Sequence, residues 1–168
     1  TGLKPTLGEL SCEGVVPLSW SLDHVGPITR SVGDAWLLYD AMRGAPRLLP
    51  AAKHAIATRP PRLGVLGGYF TELLEPAVRT SFDAAVRRLA DAGAGIERRE
   101  VAEAARTPAT YLRIQLPEAT AYHAATLERE PGSYTPAVRS RLEMGRDVSA
   151  VDYVNARRDA LVLRDAVD

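Results

Sequence analysis

The 168-residue sequence has a single cysteine, Cys12, so no intrachain disulfide can form. A reducing, cytoplasmic setting is the simpler expectation. Neither charge is in excess: 21 Lys and Arg balance 21 Asp and Glu. A nucleic-acid-binding surface normally needs a basic surplus, so no nucleic-acid partner is expected. No apolar run approaches the roughly 20 residues that cross a bilayer. The first residues do not read as a signal peptide either, so no membrane partner is expected. His54 and His123 lack the close acidic or cysteine companions of a metal motif, and His24 is not at a ligand spacing from Cys12. A G-x-S-x-G elbow is missing, and Gly64 to Gly68 do not make a G-x-G-x-x-G fingerprint. No metal site is therefore expected, and support for phosphate binding is weak. No internal repeat or low-complexity segment occurs, so a duplicated domain is not indicated.

What is present is enough chain, at 46% hydrophobic content, for one α/β domain with its own core. Residues 1–30 are rich in Gly, Pro and short β-favouring runs such as Gly14-Val15-Val16-Pro17, and predict short strands and turns. Ser31 with Asp34 makes an N-cap and an acidic first turn. Val32, Ala35, Trp36 and Tyr39 recur at helical spacing, and Gly44 supplies a stop. Residues 45–62 carry Pro46, Pro50, Pro60 and Pro61 and read as a connection.

Residues 63–101 form the clearest unit. Leu63 to Leu66 is a short apolar run that suits a buried strand, and Pro76 suits a first helical turn. Val78, Phe82, Ala85, Val86 and Leu89 make one apolar stripe, which Gly93 and Gly95 end. Ile96 to Val101 supply the next strand. Strand, helix and strand at this spacing predict a parallel, right-handed crossover. Residues 105–168 are helix-rich: Pro108 to about Arg129, Pro136 to Met144, and Ser149 onward, again with an Ser–Asp cap at Ser149 and Asp152.

Ser21, Asp23 and His24 lie close together, yet neighbours on an extended segment point to opposite faces. Asp23 is therefore poorly placed to orient His24 toward Ser21, and a local triad is not expected. A short carboxylate in a turn-rich segment commonly accepts backbone N–H bonds, which favours a structural role for Asp23. Cys12 reads as a structural thiol. Arg139, Arg141, Arg157 and Arg158 fit solvated basic helix faces.

Thr1 to Pro27, which includes GLKPT and SLDHVGP, resembles the second half of the signature region of the amidase signature family, and the stretch on to Gly44 matches that family's order of motif, strand and helix. PRLGVLGGYF (61–70) and EPAVRTSFDAAVRRLADAGAGIE (75–97) are similar to that family's next strand, helix and strand. The later helices match more loosely. The family folds as an α/β/α sandwich with a mixed central sheet, and its members are serine hydrolases of carboxamides. The resemblance implies that a lysine, acting through a bridging serine, deprotonates the nucleophile. Backbone N–H groups then stabilise the oxyanion, and water hydrolyses the acyl-enzyme.

In that pattern the nucleophile, the bridging serine and the lysine all precede GLKPT, and Lys4 is a structural residue. The chain is then expected to be a fragment beginning just after the catalytic serine, cut at both ends and inactive alone. Exposed sheet edges and helix faces would favour self-association. The resemblance places SLDHVGP near the cleft, making Asp23 and His24 candidate substrate-cleft residues. VRSRLEMG (138–145) resembles a family helix in which some members use an arginine to hold a substrate carboxylate, so Arg141 is a further candidate. Tyr122, with Tyr111, either lines that cleft or serves as a core aromatic. The substrate implied is a small-molecule amide. Two alternatives stay open: the A subunit of a glutamyl-tRNA amidotransferase, and a non-catalytic binding or assembly module. That subunit commonly reads SLDQ where this chain has Ser21 to His24, and often has a longer Tyr-rich helix where this chain has residues 149–163.

Overall fold

The computed structural model describes residues 1–44 and 60–167. Most of the expected connection, 45–59, and His54 lie outside the described residues. The chain divides into two compact units, Thr1–Pro50 with Thr110–Arg157, and Ala51–Ala109 with Arg158–Asp168.

In the first unit, the N-terminal thirty residues are built of turns and one antiparallel bridge, Gly2 to Ile28. Leu3 N–H donates to Pro27 O at 3.0 Å, and Thr29 N–H donates to Thr1 O at 2.8 Å. Gly26 permits this pairing: a side chain there would collide with the carbonyl oxygen of Leu3. The strand expected around Val15 and Val16 does not form. Gly14 adopts a left-handed φ of 80°, Val15 N–H closes a turn onto Cys12 O, and Pro17 has no N–H to donate.

Helix α1, Val32–Met42, starts where its cap predicts, with Asp34 N–H donating to Ser31 Oγ at 3.1 Å. It buries Ala35 and Tyr39, whereas Val32 and Trp36 of the same stripe stay exposed. Gly44 follows with a φ of 69°. The later helices of this unit bury a small apolar cluster of Ala119, Leu127 and Leu142, with Tyr134 packed against it. Ala119 and Leu127 lie on α3, Thr107–Arg129, and Leu142 on α4, Pro136–Glu143. Thr135 caps α4 by accepting from Val138 N–H, with Pro136 in the first turn. Past Glu143 the chain tightens into a 3₁₀ turn, Met144–Asp147, rather than continuing as α-helix. There Gly145 lies so close to α3 that a Cβ would strike Thr120 Oγ1 and Leu116 O. Helix α5, Ala150–Val167, is capped as expected, Asp152 N–H donating to Ser149 Oγ at 3.0 Å.

In the second unit, β1 (Arg62–Leu66) and β2 (Gly95–Arg99) pair in parallel, in a register running from Arg62–Gly95 to Leu66–Arg99. Helix α2, Pro76–Asp91, connects them, and Gly93 turns the chain with a φ of 94°. The apolar stripe of α2 faces the strands, as its spacing predicts, but does not close over them. Between them lies an apolar groove of about 470 Å³ lined by Leu63, Val65, Val78, Phe82, Leu89 and Ile96, among others. Mixed α/β architecture is therefore observed, with one two-stranded parallel sheet among the described residues. No helix among them is long and apolar enough to cross a membrane.

Candidate functional site

The segment from Leu18 to His24 is held by two carboxylates. The first is local. Leu22 and Asp23 N–H groups both donate to Ser19 O, winding the chain into a tight turn. The Asp23 carboxylate then accepts Leu18 N–H at 2.9 Å and Ser19 N–H at 3.1 Å. Asp23 thus does what a short side chain in a turn does well, bridging its own backbone. The half-buried Cys12 thiol adds a contact to Asp23 O at 3.7 Å.

The second carboxylate, Glu118, comes from the middle of α3, one residue after Pro117. It is 1% exposed, and a bare carboxylate at that depth would be costly. It is fully partnered instead. Ser19 Oγ donates at 2.5 Å, Ser21 Oγ at 2.7 Å, Ser21 N–H at 3.2 Å, and the Tyr153 hydroxyl of α5 at 2.9 Å. Ser19 opens the tight turn and Ser21 lies within it, so the winding of the chain brings both hydroxyls to the same acceptor. Arg157, at 3.6 Å and largely solvated, adds a weaker charge contact.

Burial pushes the Glu118 carboxyl upward, but the bonds from Ser19, Ser21 and Tyr153 outweigh it and hold the group below its ordinary value. The Tyr153 hydroxyl is pushed up by burial and by its bond to that carboxylate. The result is an ionised clasp joining the Leu18–His24 segment to α3 and α5.

This arrangement disposes of a local serine triad. The Ser21 proton is directed at Glu118, whereas His24 Nδ1 lies 2.6 Å from Leu22 O and so faces its own backbone. Lys4 Nζ donates to Pro5 O at 3.0 Å, in line with a structural lysine.

The four cleft candidates do not share one cavity. His24 lines a recess of about 300 Å³ with Lys4, Val25 and Gly26. Arg141 lines another, of about 350 Å³, with Leu18, Gln115, Ala137, Val138 and Leu142. Asp23 serves the second indirectly, by fixing the backbone of Leu18. Tyr122 lines neither. It is half exposed and sets its ring against His123, which in turn meets the Tyr134 hydroxyl at 2.9 Å. The two arginines of α4 differ. Arg139 is paired with Glu143 at 2.8 Å, while Arg141 has no hydrogen bond or ion pair among the described residues.

Sequence reading missed Glu118, Ser19, Tyr153 and Gln115. A signal for Glu118 does exist. It follows Ile114 by four residues and Gln115 by three, on one face of α3, and a carboxylate in such a row beside a core isoleucine needs partners.

Comparison with known proteins bears on this geometry. The amidase family model matches residues 1–164. An amidase from Pseudomonas putida is 40% identical over 177 residues, an alignment covering 99% of this chain and 38% of that protein. The A subunit of glutamyl-tRNA(Gln) amidotransferase from Koribacter versatilis is 35% identical over 105 residues, covering 56% of this chain and 22% of that subunit. A crystal structure of an amidase superposes with a TM-score of 0.86 at 30% identity, covering 99% of this chain and 37% of that one. The chain thus spans less than two fifths of the length of these relatives, and over that span it belongs to the amidase family.

Proposed function

We propose that this member of the amidase family is a structural and cleft-wall portion of an enzyme that hydrolyses carboxamides to a carboxylate and ammonia or an amine. The observation that supports this most is the clasp. Glu118 and Asp23 together fix the segment that carries Leu18 and His24, so that those side chains border two recesses at set positions. A cleft wall needs this kind of rigidity, because acyl transfer depends on the substrate carbonyl being held in place.

In this reading the reaction runs through a serine acyl-enzyme. A serine oxygen adds to the amide carbonyl, and backbone N–H groups stabilise the oxyanion. The C–N bond then breaks as the leaving nitrogen takes a proton, and water releases the carboxylate. Neither Ser21 nor Lys4 is free for those steps, since both are engaged as described. We therefore assign the nucleophile, the bridging serine and the lysine base to no residue of this chain. The route draws on no metal or organic cofactor. His24, Arg141 and Tyr122 are proposed substrate-cleft residues, and Asp23 a positioning residue. The surrounding fold is proposed to be an α/β/α sandwich with a mixed sheet, in a cytoplasmic protein. The half-exposed apolar groove of the βαβ unit would favour self-association of the chain on its own.

A second reading, an amidotransferase A subunit, has a weaker basis. The aligned share of this chain drops from 99% with the Pseudomonas amidase to 56% with the Koribacter subunit. His24 also departs from the SLDQ form.

The test compares the complete reading frame with the 168-residue chain on a panel of primary and aryl amides, following released ammonia or arylamine. Turnover by the complete protein alone is expected. Turnover by the chain itself would overturn the assignment, with Ser21 the first residue to mutate, and an inactive complete protein would overturn the amidase reading.

A further inference from the structure

His24 carries a ring whose proton the backbone places. Its Nδ1 lies 2.6 Å from Leu22 O. Either nitrogen of a neutral imidazole can hold the proton, but a carbonyl oxygen only accepts. Here, then, Nδ1 donates and Nε2 keeps its lone pair. The carbonyl that decides this is itself fixed. Leu22 N–H donates to Ser19 O at 2.9 Å, Ser21 before it is tied to Glu118, and Asp23 after it grips Leu18 and Ser19 N–H. Among the described residues Nε2 has no partner, and His24 is exposed. It lines the recess of about 300 Å³ with Leu3, Lys4, Val25 and Ile28, and no acidic side chain shares that lining.

We propose that His24 is a specificity-determining residue, by which the cleft wall tells an amide from the carboxylate that hydrolysis makes of it. Turning the ring cannot convert Nε2 into a donor, because that would break the bond from Nδ1 to Leu22 O. An amide N–H donates to Nε2. A carboxylate has only acceptor oxygens, so it sets lone pair against lone pair and forgoes the bond. The class favoured is amides that retain an N–H, primary or secondary. Leu3, Val25 and Ile28 supply apolar surface for the group attached to the amide carbon. The inference rests on the amidase reading and adds which form, substrate or product, the wall holds.

Lys4 pulls the other way. It lines the same recess and gives one proton to Pro5 O at 3.0 Å. Its exposed ammonium attracts a carboxylate only weakly, since solvent and salt screen it. The directed bond at Nε2 therefore decides between the two ligands.

Two measurements on the 168-residue chain test this without turnover, so the result stands apart from the hydrolysis assay. The first is ¹⁵N NMR at about pH 8, where an ordinary imidazole is neutral. His24 should be protonated at Nδ1 and bare at Nε2. A proton on Nε2 instead would overturn the proposal, and no variant is needed to see it. In the second, benzamide and benzoate, which differ only in NH₂ against O⁻, are titrated while the Nε2 signal is followed. Benzamide should move that signal and bind about fivefold more tightly than benzoate, the worth of one neutral hydrogen bond. His24→Phe keeps a flat ring without the acceptor and should erase the preference. His24→Gln should narrow it below about twofold, since an amide can turn either edge to the ligand. Equal binding of the pair, a preference that survives His24→Phe, or benzamide that fails to bind or leaves Nε2 unmoved would each contradict the assignment.

Discussion

The two units solve the problem of their interiors in opposite ways. In the first, a buried carboxylate has both oxygens engaged, Oε2 by Ser19 and Ser21 and Oε1 by Ser21 and Tyr153. In the second, the apolar faces of α2, β1 and β2 stay open to a groove, and Val78, Phe82 and Leu89 are each more than a third exposed. The polar centre is thus complete within these residues, whereas the apolar one is not. A closed polar network is the more demanding feature, since a single lost partner leaves a buried group unsatisfied. An open apolar groove loses little when one wall is trimmed.

That contrast can be broken at the clasp first. Glu118→Ala would leave two serine hydroxyls, an amide and a tyrosine hydroxyl without their acceptor. A loss of about 3–5 kcal/mol is expected in urea unfolding. An effect below about 1 kcal/mol would mean that water or another group replaces the carboxylate without cost.

Leu142→Ala and Phe82→Ala sharpen the same contrast through apolar residues. Leu142 is 4% exposed in the first unit's cluster, so truncation should cost about 2–5 kcal/mol. Phe82, at 39% exposure, should cost less than about 2 kcal/mol despite its larger side chain. Equal losses would show that the groove is filled in solution, as self-association would fill it. Gly145→Ala lies between them. A methyl group against Thr120 and Leu116 O forces the 3₁₀ turn away from α3, at about 1–3 kcal/mol by thermal melting.

The smallest effect expected is at the helix caps. Ser31→Ala removes the acceptor for Asp34 N–H and should cost about 1 kcal/mol.

These residues also mark what could be read from sequence. The caps at Ser31 and Ser149, the stop at Gly44 and the β1–α2–β2 crossover were legible because each depends on neighbours a few residues away. The amidase resemblance was legible from Thr1 to Gly44 for a similar reason, as an unbroken run of motif residues. The clasp was not. Ser21 and Glu118 are 97 residues apart, and Tyr153 is a further 35 beyond, so no local period links them. The failed strand at Val15 and Val16 shows the converse error. Their β-propensity was read correctly, but Gly14 and Pro17 denied the segment a pairing geometry. The cleft candidates were found by motif and separated by tertiary structure, Arg141 into one recess and His24 into another.

The direct measurement is the titration of Glu118 itself, followed by the ¹³C shift of its carboxyl carbon from pH 7 downward. Because its folded value is held below the unfolded one, the clasp should contribute full stability above the ordinary glutamate range. That contribution should be lost only as pH falls through the lowered value. The account predicts that Glu118 stays ionised below the pH at which exposed glutamates protonate, with Glu118→Gln flattening the acid limb of the stability curve. A Glu118 that titrates at or above the ordinary range would contradict it, because burial would then outweigh the four donated hydrogen bonds.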